Sequence, residues 1–180
     1  MTAALYLTVV GPIDQIRAQH ICDNFAIASQ QGCTELHMML QSEGAVADDA
    51  IALANYIHGL PFAVHIYNPG RVASGAMLIY LAAHRRYVSR SDMFMLHRAR
   101  LLATTGKISA ADFRSRADEA DLIDARCEAM IRERASLTEA MWRVYAERDL
   151  HFSAEDAVAC GVAHEIRDFV VPTGGKVFNG

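Results

Sequence analysis

The sequence predicts an α/β fold of repeated strand–helix units, with a mainly parallel sheet and one unusually long helix. Two observations predict it. In the first half, apolar strand-like segments alternate with segments of helical period, at spacings that fit right-handed crossovers between parallel strands. After His97 the strand signal stops, and apolar residues recur at helical spacing for about 25 residues, roughly twice the length of an average globular helix.

The first half supplies three strand–helix units and two further short strands. Gly11-Pro12, Gly32 and Pro69-Gly70 are turn or stop signals that separate these segments. The predicted elements are a strand in ALYLTVV, a helix over 13–31, a strand in TELHMMLQ, a helix over 48–58, a strand in FAVHIYN, a helix over about 74–83, and two short strands in RRYVSRSDMFML.

The second half is predicted to be mainly helical. Ser109 with Asp112 is typical of a helix N-terminus, and it begins a long helix whose narrow apolar stripe needs a partner surface. Further capping pairs predict a helix from Ser136 to about 147 and a short helix from Ser153 to Gly161. A last strand in GVAHEI and a loose tail in PTGGKVFNG complete the chain.

Composition narrows the class of protein. The 180 residues are 52% hydrophobic, enough for a single domain with a sizeable core, and the net charge of −4 is spread along the chain, which argues against a nucleic-acid partner. The four cysteines form no CxxC pair, so we expect free thiols in a reducing compartment and no zinc site. We see neither a signal peptide nor an apolar stretch long enough for a membrane span, and we expect a cytoplasmic protein.

A serine stands where a predicted strand gives way to a predicted helix, in NPGRVASGAMLIYLAAH. There Ser74 lies beside the unpaired N–H groups of a helix start, which can stabilise an oxyanion, and its small neighbours leave room for a substrate. Ser74 is therefore a candidate nucleophile. A serine that only caps the helix is the more common use of such a position.

A serine nucleophile needs a base and a carboxylate that orients the base. Among eight histidines, His97 differs because it directly follows the apolar strand MFML. Asp149, in ERDLHFSAEDAVACGV, is a candidate for the carboxylate. Taken alone, His97 can equally be a polar residue at a strand exit, and Asp149 a surface charge.

Together these segments resemble the proteolytic subunit of the Clp protease (ClpP), peptidase family S14, which shares its superfamily with the crotonases. The family has segments like GQAASMGA, INSPGG and ERDRFLSAPEAVEYGLVD. The corresponding segments of this chain are GRVASGAM, LQSEGA and ERDLHFSAEDAVACGVAH. The segment MFMLH lies between GRVASGAM and ERDLHFSAEDAVACGVAH. The resemblance covers nearly the whole sequence, in the same order and with similar gaps.

The resemblance implies a site, residue by residue. Ser74 matches the family's nucleophile, His97 its general base and Asp149 its orienting carboxylate. The backbone N–H groups of Gly75 and Ala45 match its oxyanion hole. A Ser-His-Asp serine endopeptidase that needs no cofactor and no metal is thus implied.

The resemblance also implies an architecture and partners. Residues 1–100 and 148–168 would form an α/β head, 101–147 a handle helix region, and 169–180 a C-terminal tail of one domain. The helix over 109–135 matches the handle that interleaves two stacked rings of a homo-oligomer. Peptides or unfolded proteins would be cleaved inside this chamber, with an AAA+ unfoldase as the feeding partner.

The sequence departs from the family pattern at three places. Glu43-Gly44-Ala45 replaces Pro-Gly-Gly, so that Ala45 would be strained if the loop needs positive φ there, and Glu43 adds negative charge beside the oxyanion. One residue is missing after Ser74, where Gly75 replaces a larger residue. The chain starts almost at the first strand, which weighs against the unfoldase more than against the chemistry.

Three other functions compete with the peptidase. The altered loop over 42–45 leaves open a weak or inactive ring scaffold. A crotonase-type acyl-CoA enzyme shares the strand–helix repeat and the paired N–H groups, but such enzymes usually run longer and carry carboxylates where this chain has Ser74 and His97. A plain binding module explains neither the order of the three residues nor the long helix.

Overall fold

A computed structural model describes residues 4–100 and 106–180. Strands and helices alternate through the first half and helices dominate the second, as the sequence predicts. In chain order the elements are β1 (Ala4–Val10), α1 (Gln15–Gln30), β2 (Glu35–Gln41), α2 (Ala47–His58), β3 (Ala63–Asn68), β4 (Arg71–Ala73), α3 (Ala76–Leu81), β5 (Arg85–Val88), β6 (Met93–Leu96), α4 (Ala110–Arg134), α5 (Glu139–Glu147), β7 (Leu150–Ser153), α6 (Ala154–Ala159), β8 (Glu165–Ile166) and β9 (Val177–Asn179).

A six-stranded sheet organises the molecule, in the order β8-β5-β3-β2-β1-β9. Every neighbouring pair in it is parallel, because a helix or a long crossover separates each strand from the next. Apolar side chains of its central strands, such as Leu7, Met38 and Ile66, are fully buried in the main core. The predicted α/β fold with a mainly parallel sheet is confirmed.

A second sheet of three short strands, in the order β4-β6-β7, carries the predicted site. β4 and β6 are parallel, whereas β6 and β7 are antiparallel. An isolated bridge between Ser42 and Val72 joins this sheet to the loop that follows β2. The sequence did not predict β4 or β7, because three or four residues are too few to show a strand period.

The long helix is present as predicted. α4 has 25 residues, and Ser109 and Asp112 form the capping box at its start. It carries exposed Phe113 and Leu122 together with buried Asp124 and Ile131. Residues 101–105 of the predicted handle region, like residues 1–3 of the head, lie outside the described residues.

Two sequence predictions in the second half were wrong. Thr138, and not Ser136, caps α5, since its side chain accepts a hydrogen bond from the N–H of Met141. The tail is not loose, because β9 pairs with β1 at the edge of the large sheet and partly buried Phe178 packs on the core. Among the described residues, no helix combines the length and apolar character that crossing a bilayer requires.

A buried arginine links the C-terminal end of α4 to the large sheet. Arg86 on β5 is 6% exposed, and its guanidinium donates to backbone carbonyls from three separate parts of the chain. These acceptors are the carbonyls of Leu81, Ala83, Arg134, Gly161 and Val162. Because a planar fork with five N–H donors matches these acceptors, a lysine cannot replace it.

We therefore expect Arg86→Lys to lower the free energy of unfolding by about 2–4 kcal/mol, since several buried carbonyls lose a charged donor. Urea unfolding followed by circular dichroism measures the change. The neighbouring exposed Arg85, changed to lysine, is the control and should leave stability unaltered. Equal stability of the two variants would contradict the role given to Arg86.

Candidate active site

Ser74 and His97 follow the ends of two neighbouring strands of the small sheet. Ala73, the last residue of β4, pairs with Met95 of β6. The N–H of Ser74 continues this pairing, since it donates to the carbonyl of Met95 over 2.8 Å. His97 lies two residues beyond Met95 on the same strand. The parallel pairing thus brings both residues to the same end of the sheet.

Asp149 reaches the same end from the other side. In the antiparallel ladder of β6 and β7, Leu96 pairs with Leu150, so His97 and Asp149 would form the next pair of the register. Directly opposite residues of an antiparallel pair have Cβ atoms about 5 Å apart. The structure therefore places all three predicted residues at one sheet end, although they are far apart in sequence.

Ser74 has an unusual backbone conformation. Its φ is +54°, the only positive φ of a residue other than glycine in the described part of the chain. The left-handed region costs such a residue on the order of 1 kcal/mol, and strain of this kind clusters at functional sites. Gly75 is the N-cap of α3, and no side chain caps that helix. The alternative that Ser74 is a helix cap is therefore wrong.

Two local hydrogen bonds shape the loop with the altered sequence. Ser42 Oγ donates to the carbonyl of Gly44 and accepts from its N–H. Gly44 takes the positive φ of this loop, at +152°, and lies against the side chain of Ser74. Ala45 has no positive φ. The strain that alanine would suffer at this position does not arise.

Gly75 is needed because this loop approaches it closely. A Cβ atom on Gly75 would lie 2.5 Å from the carbonyl oxygen of Ala45, which is closer than any real contact. The absence of a side chain at Gly75 and the close approach of Ala45 are thus matched to each other. Within the described residues, neither the N–H of Ala45 nor that of Gly75 donates a hydrogen bond to the protein. Both groups are available to a ligand.

A cavity of about 840 Å³ lies in front of these groups. Ser74, Gly75, His97 and residues 43–48 line one part of the cavity, and α4 lines another. Apolar lining comes from Leu78, Leu96, Ile123, Ile131 and Tyr145. Cys127 also lines the cavity, but burial raises the pKa of its thiol, so it stays protonated at neutral pH and is a poor rival nucleophile.

The hydrogen bonds of His97 and Asp149 differ from those of a direct triad. His97 Nδ1 bonds to the carbonyl oxygen of Arg98 over 2.6 Å. The guanidinium of Arg100 binds the carboxylate of Asp149 and, with smaller contributions from His97 and His151, holds the pKa of Asp149 below its ordinary value. Within the described residues, no hydrogen bond joins His97 to Asp149. The sheet brings them together without pairing their side chains.

Sequence reasoning missed two charged residues at this site, Arg100 and Asp124. Asp124 is 5% exposed and lies on the inward face of α4. The sequence carries a signal for it, because Asp124 falls on the apolar stripe, four residues after Ala120 and three before Cys127. Nothing in the sequence distinguishes Arg100 from its arginine neighbours.

A hydroxyl, an imidazole and a carboxylate at one sheet end, beside free backbone N–H groups, are the groups that hydrolases use for acyl transfer. The Clp protease family model matches residues 2–169, and the chain belongs to this family of peptidases. No curated protein matches the sequence. A mutant of ClpP1 from Listeria monocytogenes is similar in fold, with a TM-score of 0.78, 20% identity and 91% of each chain covered.

The close approach at Gly75 yields a test. Gly75→Ala should push the Ala45 loop away and lower the free energy of unfolding by roughly 1–3 kcal/mol, the usual cost of overpacking. Denaturant unfolding measures it. Gly59→Ala is the matched control, because its Cβ would meet the nearest atom at an ordinary 3.6 Å. If Gly75→Ala lowers the free energy of unfolding no more than Gly59→Ala does, Ala45 does not pack against Gly75 in this way.

The bond between Arg100 and Asp149 predicts a titration. Arg100→Gln should raise the pKa of Asp149 toward its ordinary value, because the carboxylate loses the donor that stabilises its charge. Carboxyl-detected NMR titration of wild type and variant measures the change. The wild-type pair stabilises the fold above the ordinary pKa of aspartate, and this contribution is lost as pH falls through the lowered pKa.

The control for this titration is Arg148→Gln, which removes the same charge one residue away without removing the bond to Asp149. Its effect on the pKa of Asp149 should be clearly smaller. An equal shift in both variants would mean that long-range charge, and not the Arg100 bond, sets the titration.

Proposed function

We propose that the chain is a serine-type endopeptidase in which Ser74 is the nucleophile, His97 the general base and Asp149 the carboxylate that stabilises the charged imidazole. One observation carries the proposal. Three short strands deliver these residue types to one end of a sheet, at the wall of a cavity large enough for a peptide segment. Membership of a peptidase family supports the same reaction class.

The hydrogen bond of His97 fits a general base. A carbonyl oxygen only accepts, so Nδ1 carries the proton in its bond to Arg98, and Nε2 keeps its lone pair. In the proposed reaction Nε2 takes the proton of Ser74 Oγ as the oxygen attacks a peptide carbonyl. The imidazolium then protonates the leaving amine, and a water molecule, activated by His97, hydrolyses the acyl-enzyme.

The free N–H groups supply the oxyanion site. In the isolated bridge between Ile13 and Ala45, the carbonyl of Gly44 accepts from the N–H of Ile13. In a parallel pairing the residue opposite directs its own N–H and C=O to the other side, and on that side the carbonyl oxygen of Ala45 lies close to Gly75. The N–H groups of Ala45 and Gly75 are the proposed donors to the developing oxyanion.

The cavity suggests the form of the substrate. Its apolar lining, from Leu78 to Tyr145, would accept an apolar side chain next to the scissile bond. The backbone of residues 44–47 would pair with an extended peptide by strand addition. Exposed Glu43 at the rim disfavours an acidic residue close to the oxyanion site. Peptides and unfolded proteins are the proposed substrates.

The long helix supports an assembly of several copies. Phe113 and Leu122 on α4 are 60% and 62% exposed in the single chain. A second copy that covers these residues would remove both from water, as stacking of two rings through the handle would do. We propose a homo-oligomer of this kind for the working enzyme.

A fluorophosphonate probe tests the proposal directly. The oligomeric protein should be labelled at one site, found by mass spectrometry at Ser74, and should cleave fluorogenic peptides with apolar residues. Ser74→Ala should abolish both, and His97→Gln should slow both by at least about 10²-fold, because general-base catalysis contributes that much. Loss of activity in Ser74→Ala with normal folding completes the test.

Two outcomes would replace the proposal. A correctly assembled oligomer with no labelling and no peptide cleavage would favour an inactive scaffold, and the absence of a direct bond between His97 and Asp149 would then explain it. Turnover of acyl-CoA thioesters without peptide cleavage would favour a crotonase-type enzyme.

A further inference from the structure

One peptide group links a buried carboxylate to the imidazole of His97. The N–H of Ala99 donates to Asp124 Oδ1 over 2.6 Å. The carbonyl of Arg98 accepts from His97 Nδ1 over 2.6 Å. These two atoms belong to the same peptide unit, between Arg98 and Ala99. The unit is trans, so its N–H and C=O point in opposite directions, with Asp124 on one side and His97 on the other.

This arrangement can transmit the charge of the carboxylate. An ionised acceptor at the N–H end of a peptide polarises it and strengthens its carbonyl as an acceptor, since linked hydrogen bonds reinforce one another. A stronger acceptor fixes the Nδ1–H tautomer and the orientation of the imidazole ring. Those are two of the tasks that the third member of a Ser-His-Asp triad performs; stabilising the charged imidazole is another.

Burial and hydrogen bonds fix the position of the Asp124 carboxylate. It is 5% exposed, and its other oxygen accepts from Arg98 Nε over 2.7 Å. Both oxygens therefore have partners, and both partners adjoin the same peptide. Asp149, in contrast, accepts a hydrogen bond from Arg100, and within the described residues it bonds to neither nitrogen of the His97 ring.

We propose that Asp124 is a positioning residue that orients His97 through the Arg98–Ala99 peptide, while Asp149 contributes charge alone. The inference rests on the proposed peptidase function of this site and divides the work of the triad carboxylate between two residues. The long helix α4 thereby contributes one positioning residue, Asp124, to the site.

The test compares two aspartates on the same helix. Asp124→Asn keeps an oxygen for the Ala99 N–H but loses the charge, so kcat for peptide cleavage should fall about tenfold while KM stays within about twofold. Asp121 contacts the same arginine, at 3.5 Å, but is exposed and does not touch the peptide. Asp121→Asn, the matched control, should leave kcat within about twofold of wild type.

A second variant isolates the peptide itself. Ala99→Pro deletes the N–H donor and leaves both Asp124 and Arg98 in place. Its kcat should fall as in Asp124→Asn, and the double variant should fall no further, because both changes break one link. Additive losses, or equal values for Asp124→Asn and Asp121→Asn, would overturn the proposal. So would a loss of about 10⁴-fold in Asp149→Asn, the loss typical of a directly bonded triad carboxylate.

A measurement without turnover separates this proposal from the proposed function. In protein with ¹⁵N-labelled histidine, His97→Gln identifies the resonances of His97. Wild type should show the Nδ1–H tautomer, and Asp124→Asn should show a mixture of tautomers. If the chain proves to have no peptidase activity, this result still decides whether Asp124 orients His97. An unchanged tautomer of His97 in Asp124→Asn would refute the proposal that Asp124 orients the ring.

Discussion

The register of the three-stranded sheet is the constraint on which the site depends. The pairing of Ala73 with Met95 brings Ser74 to the same sheet end as His97. The pairing of Leu96 with Leu150 sets His97 opposite Asp149. A shift of one residue in either pairing would turn every side chain of that strand to the other face. Short strands alone specify register weakly, so the buried side chains between them, such as stacked Phe94 and Phe152, must hold it.

The sequence predicted those features of the fold that a local residue pattern determines. The alternation of strands and helices predicted the parallel sheet, and the Ser109 capping pair predicted the start of α4. The candidate residues Ser74, His97 and Asp149 were selected from their positions in the sequence, and family-like motifs supplied their roles, which stay predictions. β4 and β7 were not predicted because they are short. β9 was not predicted because its partner strand, β1, lies at the other end of the chain.

The finer geometry of the site could not be read from residue types. Whether Ala45 or Gly44 takes the positive φ depends on how the loop meets Gly75, which is a contact between segments 30 residues apart. Likewise, the link from Asp124 to His97 depends on how the peptide between Arg98 and Ala99 is oriented. The pattern of side chains in the sequence does not predict this orientation. Backbone geometry, set by tertiary packing, decides both.

A crystal structure of the protein after reaction with a fluorophosphonate would show whether Ser74 is the nucleophile and where the oxyanion lies. We expect phosphorus bonded to Ser74 Oγ, the phosphonyl oxygen within hydrogen-bond distance of the N–H groups of Ala45 and Gly75, and His97 Nδ1 still bonded to the Arg98 carbonyl. Phosphonate on another residue, or a phosphonyl oxygen directed away from both N–H groups, would contradict this expectation.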